Sequence, residues 1–370
     1  MKAICFLTLF YFIFNCFYSH AQGCSDAGAC AVGALNILPF KFELLPSDKT
    51  TFKKTDVEEP KLVLKKYKKD SASLASNASL NNIKHNLDSI TLINSANKIL
   101  KYNVQLTAYY GSGPQSTSIY TTQLESTVNV IPNKLYAQLK VPYTFIDGKL
   151  GSVNGLSDIT ISLSYITLNR KNSNLSLSGG VKLPSNKANT HKDNLPLPMV
   201  YQTSLGSTDI LLGAKFVYKK WDFTGGYQHS FNTTQNSYLN TTSIGINTPD
   251  YKSYVQSNKM KRADDGVFRL TRNIRLKNTF TSAGVLFIYH LANDKITDAT
   301  GNRIDAIGSK GLTVNLNFSG IVPISKKTDF IFIVAAPIVN RSYATDGLIR
   351  SFVCIAGIKF NIYKNKLKYL

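Results

Sequence analysis

Beyond its first residues, the sequence lacks any long apolar segment. After Ala21 no stretch approaches the roughly 20 consecutive apolar residues that a membrane-spanning helix requires. The longest apolar run, Phe330–Val339, is interrupted by Pro337 and has the length of a membrane-crossing strand. A spanning helix is therefore not expected in the mature chain, whereas spanning strands are.

Motifs that carry catalysis are also missing. The chain contains no G-x-S-x-G, H-E-x-x-H or Walker motif, each of which places catalytic groups at a fixed spacing. His229 and Ser230 are adjacent, so on a strand their side chains point to opposite faces and cannot act together. We expect no enzymatic activity and no cofactor, and we assign no residue to a metal.

Acidic residues are scarce. The chain has 22 Asp and Glu against 43 Lys and Arg, which gives a formal net charge of +21. Such an excess often indicates nucleic-acid binding, but an export signal makes nucleic acid an unsuitable partner. Outer-membrane lipid and anionic lipopolysaccharide are the partners expected instead.

The amino terminus has the three parts of a secretory signal. Lys2 supplies the positive start, Ala3–Phe17 the apolar core, and Ser19-His20-Ala21 a small-x-small cleavage site. The apolar run is short for a transmembrane anchor and is broken by Asn15. Residues 1–21 are therefore predicted to form a cleaved signal peptide.

Cysteines are few, and two of the five, Cys5 and Cys16, leave with the signal. Cys24 and Cys30 then enclose a short turn-forming loop at the start of the mature chain. Three interpretations stay open: a disulfide in an oxidising compartment, metal or thiol chemistry, or lipid attachment at Cys24. The disulfide is the preferred assignment.

Residues 22–100 differ in composition from the rest of the chain. Eight lysines lie between Lys49 and Lys69, and a Ser/Ala/Asn-rich run, Ser71–Asn82, follows them. Many charges and few aromatic residues argue against a packed core. We predict a flexible tether or plug, and we expect it to meet a periplasmic partner if it lies outside the barrel.

From residue 101 the pattern changes to strands. In Leu156–Leu168, Ile159, Ile161, Leu163 and Tyr165 alternate with hydroxyl-bearing residues, which places apolar and polar side chains on opposite strand faces. About twelve such runs of roughly ten residues recur to the end of the chain. A soluble sandwich gives the same alternation, but strand length and export favour a membrane barrel.

Residues 101–370 are therefore predicted to form an all-β, transmembrane, antiparallel up-and-down β-barrel of about 12 strands in a Gram-negative outer membrane. Charged residues fall on the polar strand face, which in a barrel lines the lumen or substrate path: Lys140, Lys182, Lys215, Arg269, Arg275, Glu125 and Asp222. Two interpretations remain, a lumen that favours anions or a solvated, charge-paired interior without selectivity.

Further polar residues are predicted at the rim. Asp158 and Asp209 each follow a turn at the start of a strand. They are either turn residues that bond the local backbone or a pair of carboxylates that binds a cation or substrate. His290 and Asp294 lie close together in the sequence at another turn. This segment is either an ordinary rim turn or a weak candidate for a metal or acid–base site.

Residues 102–360 resemble known outer-membrane barrels. The resemblance rests on the strand starts at Asp158 and Asp209, on Val181-Lys182-Leu183-Pro184 and on Leu195-Pro196-Leu197-Pro198. The barrels belong to the meta-pathway phenol-degradation and long-chain-fatty-acid transporter families. The resemblance implies passive transport of small hydrophobic or aromatic compounds. The alternative is a non-conducting barrel that anchors or displays its amino-terminal segment and loops to a partner.

Overall fold

The computed structural model describes residues 98–240, 249–276, 279–347 and 352–365. Cys24, Cys30 and the lysine-rich segment lie outside these ranges, so the expectations for them stay predictions. Leu100–Tyr363 fall in one compact unit, whereas the second unit, Leu38–Ile99 and Lys364–Leu370, lies almost wholly outside the described residues.

Twelve long strands form the wall of a closed antiparallel barrel. They are β1 (Lys98–Ser112), β2 (Ser118–Ile131), β3 (Leu135–Gly148), β5 (Ile159–Asn169), β6 (Ser173–Leu183), β9 (Asp209–Tyr218), β10 (Trp221–Ser230), β11 (Asp265–Leu276), β12 (Thr279–His290), β15 (Gly311–Pro323), β16 (Thr328–Val339) and β17 (Val353–Asn365). The short strands are β4 (Gly151–Leu156), β7 (His191–Lys192), β8 (Leu195–Pro196), β13 (Lys295–Thr297) and β14 (Arg303–Asp305).

Neighbouring wall strands follow chain order, and β17 pairs with β1 to close the sheet. At this seam a Cβ on Gly357 would lie 2.4 Å from the carbonyl oxygen of Leu106, so glycine permits the close approach. Closure leaves no unpaired edge, as a sheet in lipid requires. The predicted barrel and its strand number are confirmed. Among the described residues, no helix is long and apolar enough to cross a membrane.

The two faces of the wall have opposite polarity. Outward side chains are apolar and exposed; Leu106 and Leu163, for example, are each 51% exposed. Their inward-facing neighbours are polar and buried, and Thr107 and Ser164 are only 2% and 1% exposed. Because the apolar side chains cover the outer surface rather than an interior, this surface is suited to lipid and not to water.

The two ends of the barrel differ in the length of their connections. Short turns join β2 to β3, β5 to β6, β9 to β10, β11 to β12 and β15 to β16. The long connections, including residues 184–208, 231–240 with 249–264, and 291–310, all lie at the opposite end. We call these the turn end and the loop end. In outer-membrane barrels the turn end faces the periplasm.

The larger apolar clusters involve the loops, and a smaller one, formed by Tyr109, Val353 and Ile355, lies within the wall. Of the large side chains that are buried most completely, Tyr201, Tyr238, Met199 and Met260 all belong to long connections. Since the wall directs most of its apolar residues outward, the loops bury apolar surface largely against each other. The packed core therefore covers the loop end of the barrel.

Candidate functional site

The turn Met199–Tyr201 lies across the mouth of the barrel at the loop end. It follows Pro198 and forms one turn of 3-10 helix whose three residues are all buried. Tyr201 Oη accepts a hydrogen bond from the backbone N–H of Leu150 at 3.0 Å, and it lies 3.1 Å from Tyr254 Oη.

The opposite side of the same turn contacts two other connections. A Cβ on Gly347, in the β16–β17 connection, would lie 2.6 Å from Val200 N, and one on Gly113, in the β1–β2 connection, 3.3 Å from the Val200 side chain. The β1–β2 and β10–β11 connections stand on opposite sides of the barrel in strand order. Met199–Tyr201 contacts both, so this turn lies between connections that start from opposite sides of the mouth.

Tyr201 of this turn packs with three tyrosines of the β10–β11 connection. Tyr201, Tyr238, Tyr251 and Tyr254 pack with Ile119, Ile146, Leu197 and Val200 in one buried cluster. We call this set of tyrosines the tyrosine cluster. The Tyr238 and Tyr251 ring centroids lie 4.9 Å apart, and those of Tyr201 and Tyr254 5.6 Å apart in an edge-on arrangement. Burial raises the pKa of Tyr251 to about 12, so this hydroxyl stays neutral and donates to the carbonyl of Pro196 at 2.7 Å.

A second apolar cluster ties three long connections together. It contains Ala188, Met199, Leu205, Met260, Ile296 and Ala306. These residues belong to the β6–β9, β10–β11 and β12–β15 connections. The loops therefore form one packed layer, which we call the cap.

Buried charges join the cap to the barrel wall. Lys182 on β6 lies 2.8 Å from Asp209, the first residue of β9, and 3.7 Å from Asp158. The sequence predicted Asp158 and Asp209 either as turn residues or as a pair of carboxylates that binds a cation or substrate, and the structure places both beside one lysine. Burial raises the pKa of Asp158, although Lys182 and Ser204 act to lower it, so this carboxyl has an increased tendency to hold a proton.

Arg262 connects the same site to two further elements. Its guanidinium contacts Asp265 at the start of β11 and lies 4.0 Å from Asp209 and 3.8 Å from Asp346. Arg341 approaches Asp346 at 3.6 Å. The side chains of Arg262 and of the three aspartates are at most 3% exposed. Ionised groups buried to this degree are stable only when they are paired.

His290 bridges the wall and the cap through both ring nitrogens. Nδ1 lies 2.6 Å from Asp265 and Nε2 lies 2.8 Å from Asp294. Two carboxylate partners require both nitrogens to donate, so the ring is an imidazolium. Burial alone raises the pKa of Asp294, but hydrogen bonds from His290, Thr345 and the Ala263 amide lower it overall.

These contacts define a charge cluster that the cap closes over. Its members are Lys182, Arg262, Arg341, His290, Asp158, Asp209, Asp265, Asp294 and Asp346. Both arginines and Asp346 come from long connections, and sequence analysis did not select them or Asp265. Arg262 and Asp265 are three residues apart where β11 begins, and this spacing of opposite charges could have indicated an ion pair. Tyr238, Tyr251 and Tyr254 stand out in a β10–β11 connection that is otherwise rich in Asn and Thr, and they could have indicated a packed loop.

The remaining predicted lumen residues lie apart from this cluster. Lys140 is 3.3 Å from Glu125, and Lys215 is 3.1 Å from Asp222. Arg269 is buried, whereas Arg275 is exposed at the turn end, with its guanidinium carbon 5.4 Å from the Phe280 ring centroid. The lumenal lysines thus lie against carboxylates, which is the geometry of a charge-paired interior. Within the described ranges, no group of three or more His, Cys, Asp or Glu could hold a metal ion.

Comparison with solved structures gives the same fold. The chain is similar to an outer membrane channel from Pseudomonas putida F1, with a TM-score of 0.53 and 12% identity over 71% of this chain and 96% of that one. At this identity the likeness concerns the fold. The NanC porin (TM-score 0.42, 11% identity, 70% and 100% covered) and the KdgM porin (0.37, 8%, 70% and 99%) are more distant and carry no argument. No protein-family model and no curated protein sequence matches the chain.

Proposed function

We propose that the chain is a passive outer-membrane channel whose cap acts as a gate. The observation that carries this proposal is Met199–Tyr201 lying across the mouth of a barrel with an apolar outer face and a polar inner face. A selective channel needs a polar path and a constriction along it. The predicted signal peptide, cleaved after Ala21, supports delivery to the outer membrane, and an outer membrane channel with this fold agrees with the proposal.

Small hydrophobic or aromatic compounds are the solutes that we propose. The tyrosine cluster supports this class, because aromatic rings gain from edge-on and offset contacts with other rings. A solute that enters from the loop end meets these tyrosines before it meets the charged lumen. The resemblance to phenol and fatty-acid transporters implies the same class of compound.

The gate proposal follows from the way in which the cap is held. Its apolar side chains meet the wall at Ile119 and Ile146, whereas its charged contacts connect it to β9, β11 and β12. Charged contacts can open without exposing a large apolar area. We therefore place the opening step at the charge cluster.

Solute flux into liposomes tests the proposal. The probes are phenol, benzoate and glucose, and the proteins are the full-length mature chain, a chain lacking residues 22–97, and Arg262→Met. The deletion leaves every described strand intact, since β1 begins at Lys98. We expect phenol and benzoate to enter faster than glucose, and Arg262→Met to accelerate all three.

A non-conducting anchor is the second candidate function. The observation in its favour is the extent of burial in the cap, where Tyr201, Tyr238 and Asn236 have no exposed surface. Absence of flux from all three proteins would support this candidate and refute the channel. Equal entry of the three solutes would retain the channel and refute the aromatic selectivity.

A further inference from the structure

The turn end carries an excess of exposed positive charge. The four described turns at this end are residues 132–134, 170–172, 219–220 and 324–327, and none of them contains an acidic residue. Their exposed cations are Lys134, Arg170, Lys171, Lys219, Lys220, Lys326 and Lys327. The loop-end connections, by contrast, contain aspartates as well as cations, and Lys149 lies 3.0 Å from one of them, Asp250. The two ends therefore differ in charge balance.

Four of these cations, Arg170, Lys171, Lys219 and Lys220, lie on neighbouring turns beside Arg272 of β11, and all five side chains are exposed. We call these five residues the basic patch. Backbone hydrogen bonds hold the underlying turns side by side. Lys219 N donates to Asn172 O at 2.9 Å, and Asn273 N donates to Lys220 O at 2.8 Å. The patch thus extends over three neighbouring hairpins.

Two aromatic side chains lie in the patch on the outer face of the wall. Tyr218, Trp221 and Arg272 pair directly across β9, β10 and β11, so their side chains share one face. Arg272 Cζ lies 4.6 Å from the Trp221 ring centroid, and Lys219 Nζ lies 5.2 Å from that of Tyr218. Tyr218 is 44% and Trp221 36% exposed. Cations held over aromatic rings at this level lie where lipid headgroups begin.

We propose that the basic patch, with Tyr218 and Trp221, binds the phosphate headgroup of an anionic phospholipid in the leaflet at the turn end. Arginine and lysine donate charge-assisted hydrogen bonds to phosphate, and the two rings contact the glycerol and upper acyl chain. A soluble acidic partner is disfavoured, because Arg272 and Trp221 face outward along the wall rather than away from the membrane. This inference rests on the barrel spanning a membrane and not on its conducting solutes.

The site contains its own reporter, since the chain has a single tryptophan. Brominated lipids quench tryptophan only on contact. The full-length protein is reconstituted in phosphatidylcholine vesicles that contain either brominated phosphatidylcholine or brominated phosphatidylglycerol at equal mole fraction. We expect the anionic lipid to occupy the site about fivefold more than the neutral lipid, with the preference falling toward unity at about 0.5 M salt.

Arg272→Gln and the double variant Lys219→Gln with Lys220→Gln should each reduce the preference at least twofold. Lys310→Gln removes one exposed charge from the loop end and should leave the preference unchanged. Circular dichroism confirms that each variant retains its strands. Equal quenching by both lipids in the wild type would overturn the proposal, as would a preference that survives in both patch variants. A shift of Trp221 emission by soluble polyglutamate, without any lipid preference, would overturn it in favour of an acidic soluble partner.

Discussion

Replacing Arg262 by methionine tests the gate at its centre. Arg262 faces Asp209, Asp265 and Asp346, all of which are almost fully buried. Methionine approximates the volume of the arginine stem but leaves these carboxylates with one cation fewer. Removing one partner from a buried ion pair costs about 3–5 kcal/mol.

The structure places the expected cost near the lower end of that range. Asp209 keeps Lys182 at 2.8 Å, Asp346 keeps Arg341 at 3.6 Å, and Asp265 keeps His290 at 2.6 Å. No carboxylate is left without a cation, so we expect a loss of about 3 kcal/mol. Since every 1.4 kcal/mol is a factor of ten, the equilibrium between closed and open cap shifts by roughly 100-fold.

Single-channel conductance and hydrogen exchange measure this shift separately. In planar bilayers the open fraction of Arg262→Met should rise by up to about 100-fold or to saturation. The amides of Tyr201 and Gln202, which donate to Pro198 and Met199, should exchange faster by a similar factor. Arg170→Met is the matched control, because Arg170 is an exposed arginine at the turn end, away from the cap.

Arg262→Lys keeps the charge without the planar fork and should fall between wild type and Arg262→Met. It also provides an interpretable variant if Arg262→Met folds poorly. Unchanged conductance and unchanged exchange in a folded Arg262→Met protein would refute the reasoning. Faster exchange without conductance would show that the cap opens onto a non-conducting barrel.

Three further predictions concern the same cap. Gly347 has a φ of +67°, and an added Cβ would lie 2.6 Å from Val200 N, so Gly347→Ala should displace Met199–Tyr201 and raise conductance. The control is Gly301→Ala, because Gly301 has a φ of +89° but open space around it. This control carries a similar backbone cost and should leave conductance unchanged. Lys182→Met leaves Asp158 and Asp209 short of a cation and should lower the free energy of unfolding in urea by about 3 kcal/mol, whereas the exposed Lys187→Met should change it by less than about 0.5 kcal/mol. The pKa of Asp294 is lowered in the folded protein, so its stabilising effect is complete above the unfolded pKa of about 3.9 and is lost as the pH falls through the folded value. Opening should therefore increase below about pH 4. Asp294→Asn should weaken this acid response without removing it, because Asp209, Asp265 and Asp346 are also paired with a cation in the charge cluster. Asp298→Asn, a change to another aspartate of lowered pKa, should leave the response unchanged.

The barrel wall was predictable because strand alternation is a local property. Successive side chains on a strand point to opposite faces whatever the rest of the chain does. Ile161 and Leu163, exposed outward, and Ser162 and Ser164, buried inward, follow the pattern visible in the sequence. Run lengths and connection lengths then limited the strand number to about twelve.

The candidate site was predictable only in part. Asp158, Asp209, His290 and Asp294 could be placed near strand ends, and Lys182 on an inward face. Their partnerships depend on register between strands, as in the direct pairing of Lys182 with Asp209. A shift of one residue would have turned Lys182 outward, and composition does not fix that choice.

The sequence by itself determined the architecture of the wall, since alternation and segment length are encoded within each strand. Only the tertiary structure decided that the mouth is covered. The cap joins residues such as Tyr201 and Tyr254, which are 53 positions apart, and Arg262 and Asp346 from separate loops. Irregular connections have no periodicity that would indicate their partners. Their contacts are set by packing and charge pairing after the wall has brought the loops together.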